Sequence, residues 1–421
     1  MESLSAALGH PLTLAFLAAL ALTTGLRVWL AARHTRFIAA HRAAVPAEFA
    51  GSITLDSHQK AADYTTAKTR LGIIETFAGA ALLLALTLGG GLQLASEQWA
   101  RWFAPGGYAH GLALLGTLAF VSGLVDLPFA LVRTFRIEAR FGFNRMTVKL
   151  FLADLAKSTA IGIALGAPLA LLVLWLMARM GALWWLWVWL AWLAFNLLVL
   201  ALYPTLIAPI FNKFNPLADE GLQRRIETLL ARCGFRSRGV FVMDGSRRSS
   251  HGNAYFTGFG ASKRIVFFDT LVNRLAPQEI EAVLAHELGH FKRRHIVKRL
   301  AWVFGASLVF LALLGYLIDK PWFYGALGVT TPSTAMALAL FFMVVPVFTF
   351  PLAPVSSFCF VISSSVLRAS VKRPSRINNS ARLCRARRLL GSRLMACWAW
   401  LSAFSNNPSL PMLTASEFSA L

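Results

Sequence analysis

Long apolar runs alternate with short polar connections along most of the chain. Seven of these runs approach or exceed the roughly 20 residues that an α-helix needs to cross about 30 Å of hydrocarbon. They cover residues 12–31, 71–94, 108–132, 150–178, 182–202, 300–318 and 334–354. The pattern predicts a multi-pass α-helical membrane protein with about seven transmembrane helices.

The interval between the fifth and sixth runs has a different periodicity. Residues 218–233 carry apolar side chains at helical spacing, whereas residues 240–243, 253–259 and 264–268 are typical of short strands. Pro277 then opens a second helix, which we expect to reach His295. The sequence therefore predicts a small α/β domain inserted between transmembrane helices five and six.

Composition and charge agree with a membrane protein. Of the 421 residues, 57% are hydrophobic and only 14% are charged. A net charge of +22 would suggest a nucleic-acid partner in a soluble protein, but many of the basic residues here lie in short connections, for example Arg133, Arg136 and Arg140 after the third run. This is the positive-inside pattern. It predicts no nucleic-acid partner, an amino terminus outside, and a cytoplasmic location for residues 207–299 and for the carboxyl tail.

The stretch AHELGHF at residues 285–291 carries the candidate chemistry. In a helix, residues four apart lie one above the other, so His286 and His290 can direct both imidazoles at one cation. Glu287 lies about 100° around the helix from His286, where its carboxylate could act as a general base on an activated water. We expect one Zn²⁺ per chain, which also needs a third protein ligand. His295 is about 140° from the histidine face and could line the site without binding the metal.

Cysteine offers no alternative metal site. The four cysteines, at 233, 359, 384 and 397, show no CxxC spacing. Neither a disulfide framework nor a thiolate zinc site is indicated.

Five stretches resemble a known family. They are FGFNRMT at 141–147, APIFNKFNPL at 208–217, SHGNAYFTGFG at 250–260, KRIVFFDTL at 263–271 and EIEAVLAHELGHFKRRH at 279–295. Together with the spans, they resemble the Ste24-type CAAX prenyl protease 1 family, the integral-membrane zinc metalloproteases of peptidase family M48. The resemblance extends from the first span to about Ser357.

The resemblance implies seven helices around a large intramembrane chamber, with a gluzincin-like zinc domain on the cytoplasmic side. It also implies that Asn253, Ala254 and Tyr255 lie on a strand beside the cleft, where an extended substrate can pair through its backbone. The alternative role of that strand is packing alone.

Several polar residues inside the spans fit a water-filled chamber, because such groups are costly in lipid and usually face an interior or a cavity. For Glu75 and Lys157, snorkelling to the interface is an equally good explanation. The residues are Glu75, Asp126, Asp154, Lys157 and Asn196.

The third zinc ligand of the family is a glutamate in an E-x-x-x-D pattern soon after the seventh span, and this chain has no counterpart. After His290 its only acidic residues are Asp319 and Glu417. The chain as written therefore carries a two-histidine half-site and could be inactive.

The tail from residue 358 to 421 is rich in serine and arginine, and it departs from the family pattern. We favour a shifted reading frame beginning near Ser357, or a disordered segment. The alternative is a genuine basic segment, Arg382–Phe404, on the inner membrane surface. The predicted organisation is a five-helix membrane domain at 1–206, an M48-type metalloprotease region at 207–357 with spans six and seven, and this tail.

The predicted function is that of a membrane-embedded zinc metalloendopeptidase, acting on a peptide or protein substrate within a lipid bilayer. The alternative is a catalytically silent membrane protein that binds peptides or lipids. A transporter is less favoured, because the spans show no evident internal repeat. The compact loops suggest a bacterial inner membrane. The oligomeric state is left open, and a monomer is compatible with the sequence.

Overall fold

The computed structural model describes residues 9–47, 49–51, 53–232, 235, 237, 239–257, 264–292 and 295–352. Its description of side chains further leaves out residues 257, 286, 287, 289–292, 295–299 and 352. The chain divides into two compact units. The first contains the described residues up to Phe141 and those from Lys320 onward, and the second runs from Gly142 to Asp319.

The first unit is helical. Its elements are α1 (Pro11–His41), α2 (Leu55–Leu86), α3 (Gly91–Trp99), α4 (Tyr108–Leu131), a π-helical segment (Val132–Glu138), α12 (Pro321–Gly325), α13 (Thr334–Thr349) and a 3₁₀ turn (Phe350–Leu352). Two hydrogen bonds show how α1 and α13 run relative to each other. Thr13 donates to the Ala326 carbonyl at 2.7 Å and Thr23 to the Val347 carbonyl at 2.9 Å, so α1 runs parallel to α13.

The π-helical segment continues α4 just after Pro128, which lacks a backbone N–H and weakens the α-helical ladder at that point. It carries Arg133, which pairs with Glu75 of α2, and Glu138, which accepts a short hydrogen bond from the Tyr64 hydroxyl. Glu75 therefore has an ionic partner within the protein, which neither the chamber nor the snorkelling explanation anticipated.

The second unit combines membrane helices with an α/β layer. Its helices are α5 (Val148–Arg179), a 3₁₀ turn (Gly181–Leu183), α6 (Trp184–Leu202), a π-helical segment (Tyr203–Ile207), α7 (Ala208–Phe211), α8 (Glu220–Arg232), a 3₁₀ turn (Gly245–Arg247), α9 (Asp269–Val272), α10 (Pro277–Lys292) and α11 (His295–Leu317). Its strands are β1 (Phe214–Pro216), β2 (Val240–Met243), β3 (Ala254–Thr257) and β4 (Arg264–Phe268).

The four strands form one mixed sheet in the order β1-β2-β4-β3. Strand β2 is parallel to β4, and the two outer pairs are antiparallel, with Ala254 opposite Phe267 in the β3–β4 pair. One face of the sheet packs against α8 and α10 through a buried core that includes Ile226, Ile265 and Phe267. The α/β domain predicted between spans five and six is thus confirmed.

Within the described residues, six helices are long and apolar enough to cross a membrane, and they correspond to the first six predicted runs. The last run forms a shorter apolar helix of 16 residues, α13. The multi-pass helical class is confirmed, whereas the count of seven and the chamber stay predictions. The three predicted domain boundaries also stay predictions, and the interpretations of the tail fall outside the described residues.

Some local predictions were wrong in their limits. The first helix runs ten residues beyond the predicted end of the first run at Ala31, and Arg133 and Arg136 lie in the π-helical segment rather than in a short connection. The second predicted run spans a break, since α2 ends at Leu86 and α3 begins at Gly91. The helix expected to reach His295 is described over Pro277–Lys292, and the next described helix covers His295–Leu317, so its predicted end stays a prediction.

A buried ion pair joins the loop before β3 to membrane helix α5. Arg248 donates to both carboxylate oxygens of Asp154, at 2.7 and 3.0 Å, and also to the Asn212 side-chain oxygen and the Phe211 carbonyl, each at 2.7 Å. The Arg248 and Asp154 side chains are only 18% and 15% exposed. Asp154 therefore serves as the counter-charge of Arg248, a role that the predicted chamber did not include.

The same loop is also tied to the segment before α5. The Arg248 carbonyl accepts from the Arg145 amide, and the Ser250 amide donates to the Phe143 carbonyl. The His251 ring stacks on Phe143 with their centroids 4.4 Å apart. These contacts fix where β3 begins.

We expect Arg248→Met to destabilise the protein by about 3 kcal/mol, because a buried ion pair that loses one partner leaves an uncompensated charge. Asp154→Leu should do the same, and the double variant should cost less than the sum of the two single variants. Thermal unfolding of the purified full chain in detergent measures each effect.

Arg224→Met is the matched control, since the Arg224–Glu220 pair is 76% and 82% exposed and such surface pairs contribute little. A fall in Tm for Arg248→Met no greater than that for Arg224→Met would contradict the structural role of the buried pair.

Candidate metal and substrate site

Helix α10 is positioned by its first turn and by one apolar face. The Glu279 carboxylate accepts from the Ala276 amide at 2.9 Å, which satisfies one of the donors at the start of the helix. Ile280, Leu284 and Leu288 follow one another at four-residue spacing and are 1%, 1% and 4% exposed within the sheet core. This face fixes the rotation of the helix about its axis.

The predicted metal-site residues lie in the second half of α10. At 100° per residue, positions 286 and 290 are roughly 200° and 240° around the helix from position 284, and position 287 is at roughly 300°. The backbone positions of His286 and His290 thus lie about 40° apart around the helix, whereas position 287 lies close to that of the buried Ile280, at roughly 320°. The side chains of His286, Glu287 and His290 lie outside the described part of the chain.

Two imidazoles one helical turn apart are a donor pair that fits zinc. Among residues whose side chains are described, no cluster of three histidine, cysteine, aspartate or glutamate residues could hold a metal ion. The side chain of His295 also lies outside the described residues, so its predicted place in the lining of the site stays a prediction.

Strand β3, the predicted substrate strand, is an outer strand of the sheet and packs against α10. The Phe268 amide donates to the Asn253 carbonyl at 2.8 Å, which makes Asn253 and Phe268 a hydrogen-bonded pair. Because such pairs alternate in an antiparallel ladder, the backbone groups of Tyr255 face β4, whereas those of Ala254 and Phe256 face the outer edge. That edge has the geometry to accept an added strand.

The side chains of this strand are used for packing. Asn253, Ala254 and Tyr255 are each at most 9% exposed, with Ala254 in the core on the α10 side and Tyr255 on the opposite face beside Met243 and Val266. Burial raises the pKa of the Tyr255 phenol, and the neighbouring Tyr203 adds to the effect. The packing and pairing interpretations of β3 are therefore compatible, since one concerns side chains and the other the backbone edge.

Sequence reasoning missed Arg248, which anchors the loop leading to β3. The residue stands in the run SRRSS at 246–250, where nothing in the local pattern distinguishes it from the neighbouring Arg247. The only available signal was the isolated Asp154 in an apolar helix, because a carboxylate at such a position calls for a cationic partner.

Two family models match the chain. The model described as the CAAX prenyl protease N-terminal region with five membrane helices matches residues 34–213, and that of peptidase family M48 matches residues 216–356. Together they cover most of the described residues.

Known proteins match over long stretches. CAAX prenyl protease 1 of Saccharomyces cerevisiae is 42% identical over 223 residues, which are 52% of this chain and 49% of that protein. A probable CAAX prenyl protease 1 of Schizosaccharomyces pombe is 31% identical over 335 residues, 77% of this chain and 69% of that protein. The chain thus spans about half the length of the S. cerevisiae relative and of several others.

The fold of a solved structure also matches. The crystal structure of S. mikatae Ste24p aligns with a TM-score of 0.74 and 28% identity, and the alignment covers 97% of this chain and 96% of that one. The helical bundle, the inserted α/β layer and the sequence matches agree. The chain therefore belongs to the Ste24-type CAAX prenyl protease 1 family of integral-membrane M48 proteins.

Proposed function

We propose that this chain is a membrane-embedded zinc metalloendopeptidase that cleaves peptide bonds in a peptide or protein substrate. The observation that carries the proposal is the spacing of His286, Glu287 and His290 on one helix, α10, with the two histidine positions about 40° apart, in a chain of this family. The names of its relatives support a proteolytic activity.

In this proposal His286 and His290 hold one Zn²⁺ per chain. When bound, zinc would supply a Lewis acid that polarises the scissile carbonyl and activates the attacking water. Glu287 accepts the proton of that water and returns it to the leaving amine, which is the role of a general base and then a general acid. His295, at the start of α11, is a candidate for the lining of the site.

The outer edge of β3 binds the substrate in an extended form. Backbone groups of Ala254 and Phe256 pair with the substrate backbone, and the buried side chains of Asn253 and Tyr255 keep the strand in place. Recognition through the backbone accepts many sequences, so this edge orients the peptide rather than selecting its side chains.

We place the catalytic domain on the cytoplasmic side. The connection after α4 carries Arg140 and Arg145, and Lys149 lies in the first turn of α5, whereas the opposite segment between α2 and α4 carries only Arg101 and Glu97 as charged residues. A bacterial inner membrane remains our proposal from the compact loops, although the named relatives are eukaryotic.

The third zinc ligand decides between this function and a silent peptide- or lipid-binding protein. Only Asp319 and Glu417 follow His290 as acidic residues, and neither fits the family's E-x-x-x-D pattern. Resequencing the gene around codon 357 tests the shifted-frame explanation directly. A change of one or two bases that restores the pattern supports it, and an unchanged reading frame rejects it.

We expect Glu287→Gln to lower the rate of peptide cleavage by about 100-fold or more while zinc stays near one per chain, because the variant removes the base but neither histidine. His286→Ala and His290→Ala should lose the zinc itself. Metal analysis of the purified full chain and cleavage of a generic peptide measure both effects.

Glu281→Gln is the control for the loss of an acid on the same helix, since Glu281 pairs with Arg225 outside the predicted site. Protein that contains no zinc and cleaves nothing supports the silent alternative. Cleavage that is equally reduced in Glu281→Gln and Glu287→Gln argues against Glu287 as the base.

If β3 pairs with the substrate backbone, only alternate backbone amides of the substrate should be needed for binding. In a series of peptides that each carry one N-methyl group, cleavage should fall most for the backbone amides that donate to β3, with the effect appearing at every second position. The KM for each peptide is the measurement. A uniform effect along the peptide, or none, would contradict pairing at this edge.

A further inference from the structure

A cavity of about 540 Å³ lies in the second unit, between the sheet and the segment that follows membrane helix α6. This volume is within the range of about 300–1,000 Å³ that is typical of small-ligand sites. Its floor includes Phe241, Tyr255 and Val266, which lie side by side on three neighbouring strands. Its wall includes Pro204, Thr205, Ala208 and Pro209.

The cavity is separate from the predicted metal residues. Tyr255 and Val266 lie on one face of the sheet, together with Met243. The other face carries Ile265 and Phe267 and packs against α8 and α10. The cavity therefore lies on the side of the sheet opposite to the helix of the predicted zinc site.

The charge of the cavity is positive. Among the described residues that line it, only Arg264 and Lys213 are charged. The Arg264 guanidinium lies 5.4 Å from the centre of the Phe241 ring, a contact that orients the side chain without neutralising it. Within the described part of the chain, neither cation forms an ion pair with a carboxylate. A cleft lined by charge of one sign attracts a ligand of the opposite sign, here an anion.

The strand register identifies Arg264 as the partner of that anion. The Ile265 amide donates to the Gly239 carbonyl, so Arg264 lies near position 239, whereas Lys213 lies beside Asp244. Positions 239 and 244 are roughly 16 Å apart along an extended strand, so the two cations lie at different ends of the cavity. The Asp244 carboxylate accepts from the Lys213 amide at 2.8 Å, which places negative charge at that end.

The wall of the cavity lies at the level of lipid headgroups. Pro204 and Thr205 come directly after the apolar run at 182–202. At 1.5 Å per residue, residues 203–209 extend roughly 10 Å beyond that run, and the headgroup layer is about 5–7 Å deep on each side of the hydrocarbon. In the same segment Leu206 and Ile210 are 57% and 45% exposed, which is typical of side chains that face lipid. This level favours a lipid over an acidic peptide as the source of the anion.

We propose that this cavity binds the phosphate group of an anionic membrane lipid, with Arg264 as its cationic partner. The glycerol part of the lipid contacts the aromatic floor, and the acyl chains extend from the cavity into the surrounding bilayer. The site is separate from the proposed zinc chemistry, and its occupancy does not depend on the chain being an active protease.

Three variants test the site in the purified full chain in a non-ionic detergent. Arg264→Met removes the charge from the cavity but keeps an apolar side chain beside Phe241. Arg274→Met removes the same charge from an exposed position that does not line the cavity. Thr205→Phe adds bulk at an exposed position in the wall without changing any charge. Native mass spectrometry measures the affinity for the first bound molecule of dioleoylphosphatidic acid, dioleoylphosphatidylcholine, inorganic phosphate or a hexaglutamate peptide.

We expect the unaltered chain to bind phosphatidic acid at least about tenfold more tightly than phosphatidylcholine, since a hydrogen bond to a charged group is typically worth a factor of about ten or more. Arg264→Met and Thr205→Phe should each lose most of that preference, and Arg274→Met should keep it.

Equal binding of the two lipids would overturn the proposal, as would equal losses in the two arginine variants. Inorganic phosphate that binds as tightly as phosphatidic acid would overturn the lipid assignment in favour of a free-anion site. Hexaglutamate that binds more tightly than phosphatidic acid, and loses its affinity in Arg264→Met, would overturn it in favour of an acidic peptide.

Discussion

The packing of Ile280, Leu284 and Leu288 against the central strand β4 is the interaction on which the candidate site depends. Burial of these side chains sets the rotation of α10, and a rotation of one residue position would move each backbone position on that helix by about 100°. The same core joins α10 to β3, so the helix that carries the histidines and the strand that offers a free edge share one apolar layer. The proposed metal chemistry and the proposed substrate alignment are thereby linked through the hydrophobic effect.

Much of the fold could be predicted from the sequence because the strongest signals are local. Strands β2 and β4 were predicted with their observed limits, since each is a short run rich in β-branched and aromatic residues. Strand β1 was missed because it has only three residues and ends in Pro216.

The candidate site was predictable only in part, because periodicity reports on neighbours in sequence and not on distant partners. The HELGH spacing identified three positions on one helix. The ion pair of Asp154 with Arg248 joins residues 94 positions apart, and the pairing of Glu75 with Arg133 spans 58. An acidic residue in an apolar helix signals that a partner exists, but local pattern cannot say whether that partner is water, lipid or an arginine. The metal-binding role of the histidines and the substrate-binding role of β3 stay predictions for this chain.

The π-helical segment after Pro128 limits how this part of the chain can change in length. A π turn accommodates one residue more than an α turn, and such bulges within α-helices are frequent at functional sites. Loss of a single residue from the segment itself could be absorbed by a return to an α-helix, whereas loss of a residue from α4 before it would turn everything beyond the deletion by about 100°. Arg133 and Glu138 could then no longer both meet their partners on α2. Insertions and deletions in relatives should therefore be rare here and fall instead in the connections, where no paired charges depend on the phase of a helix.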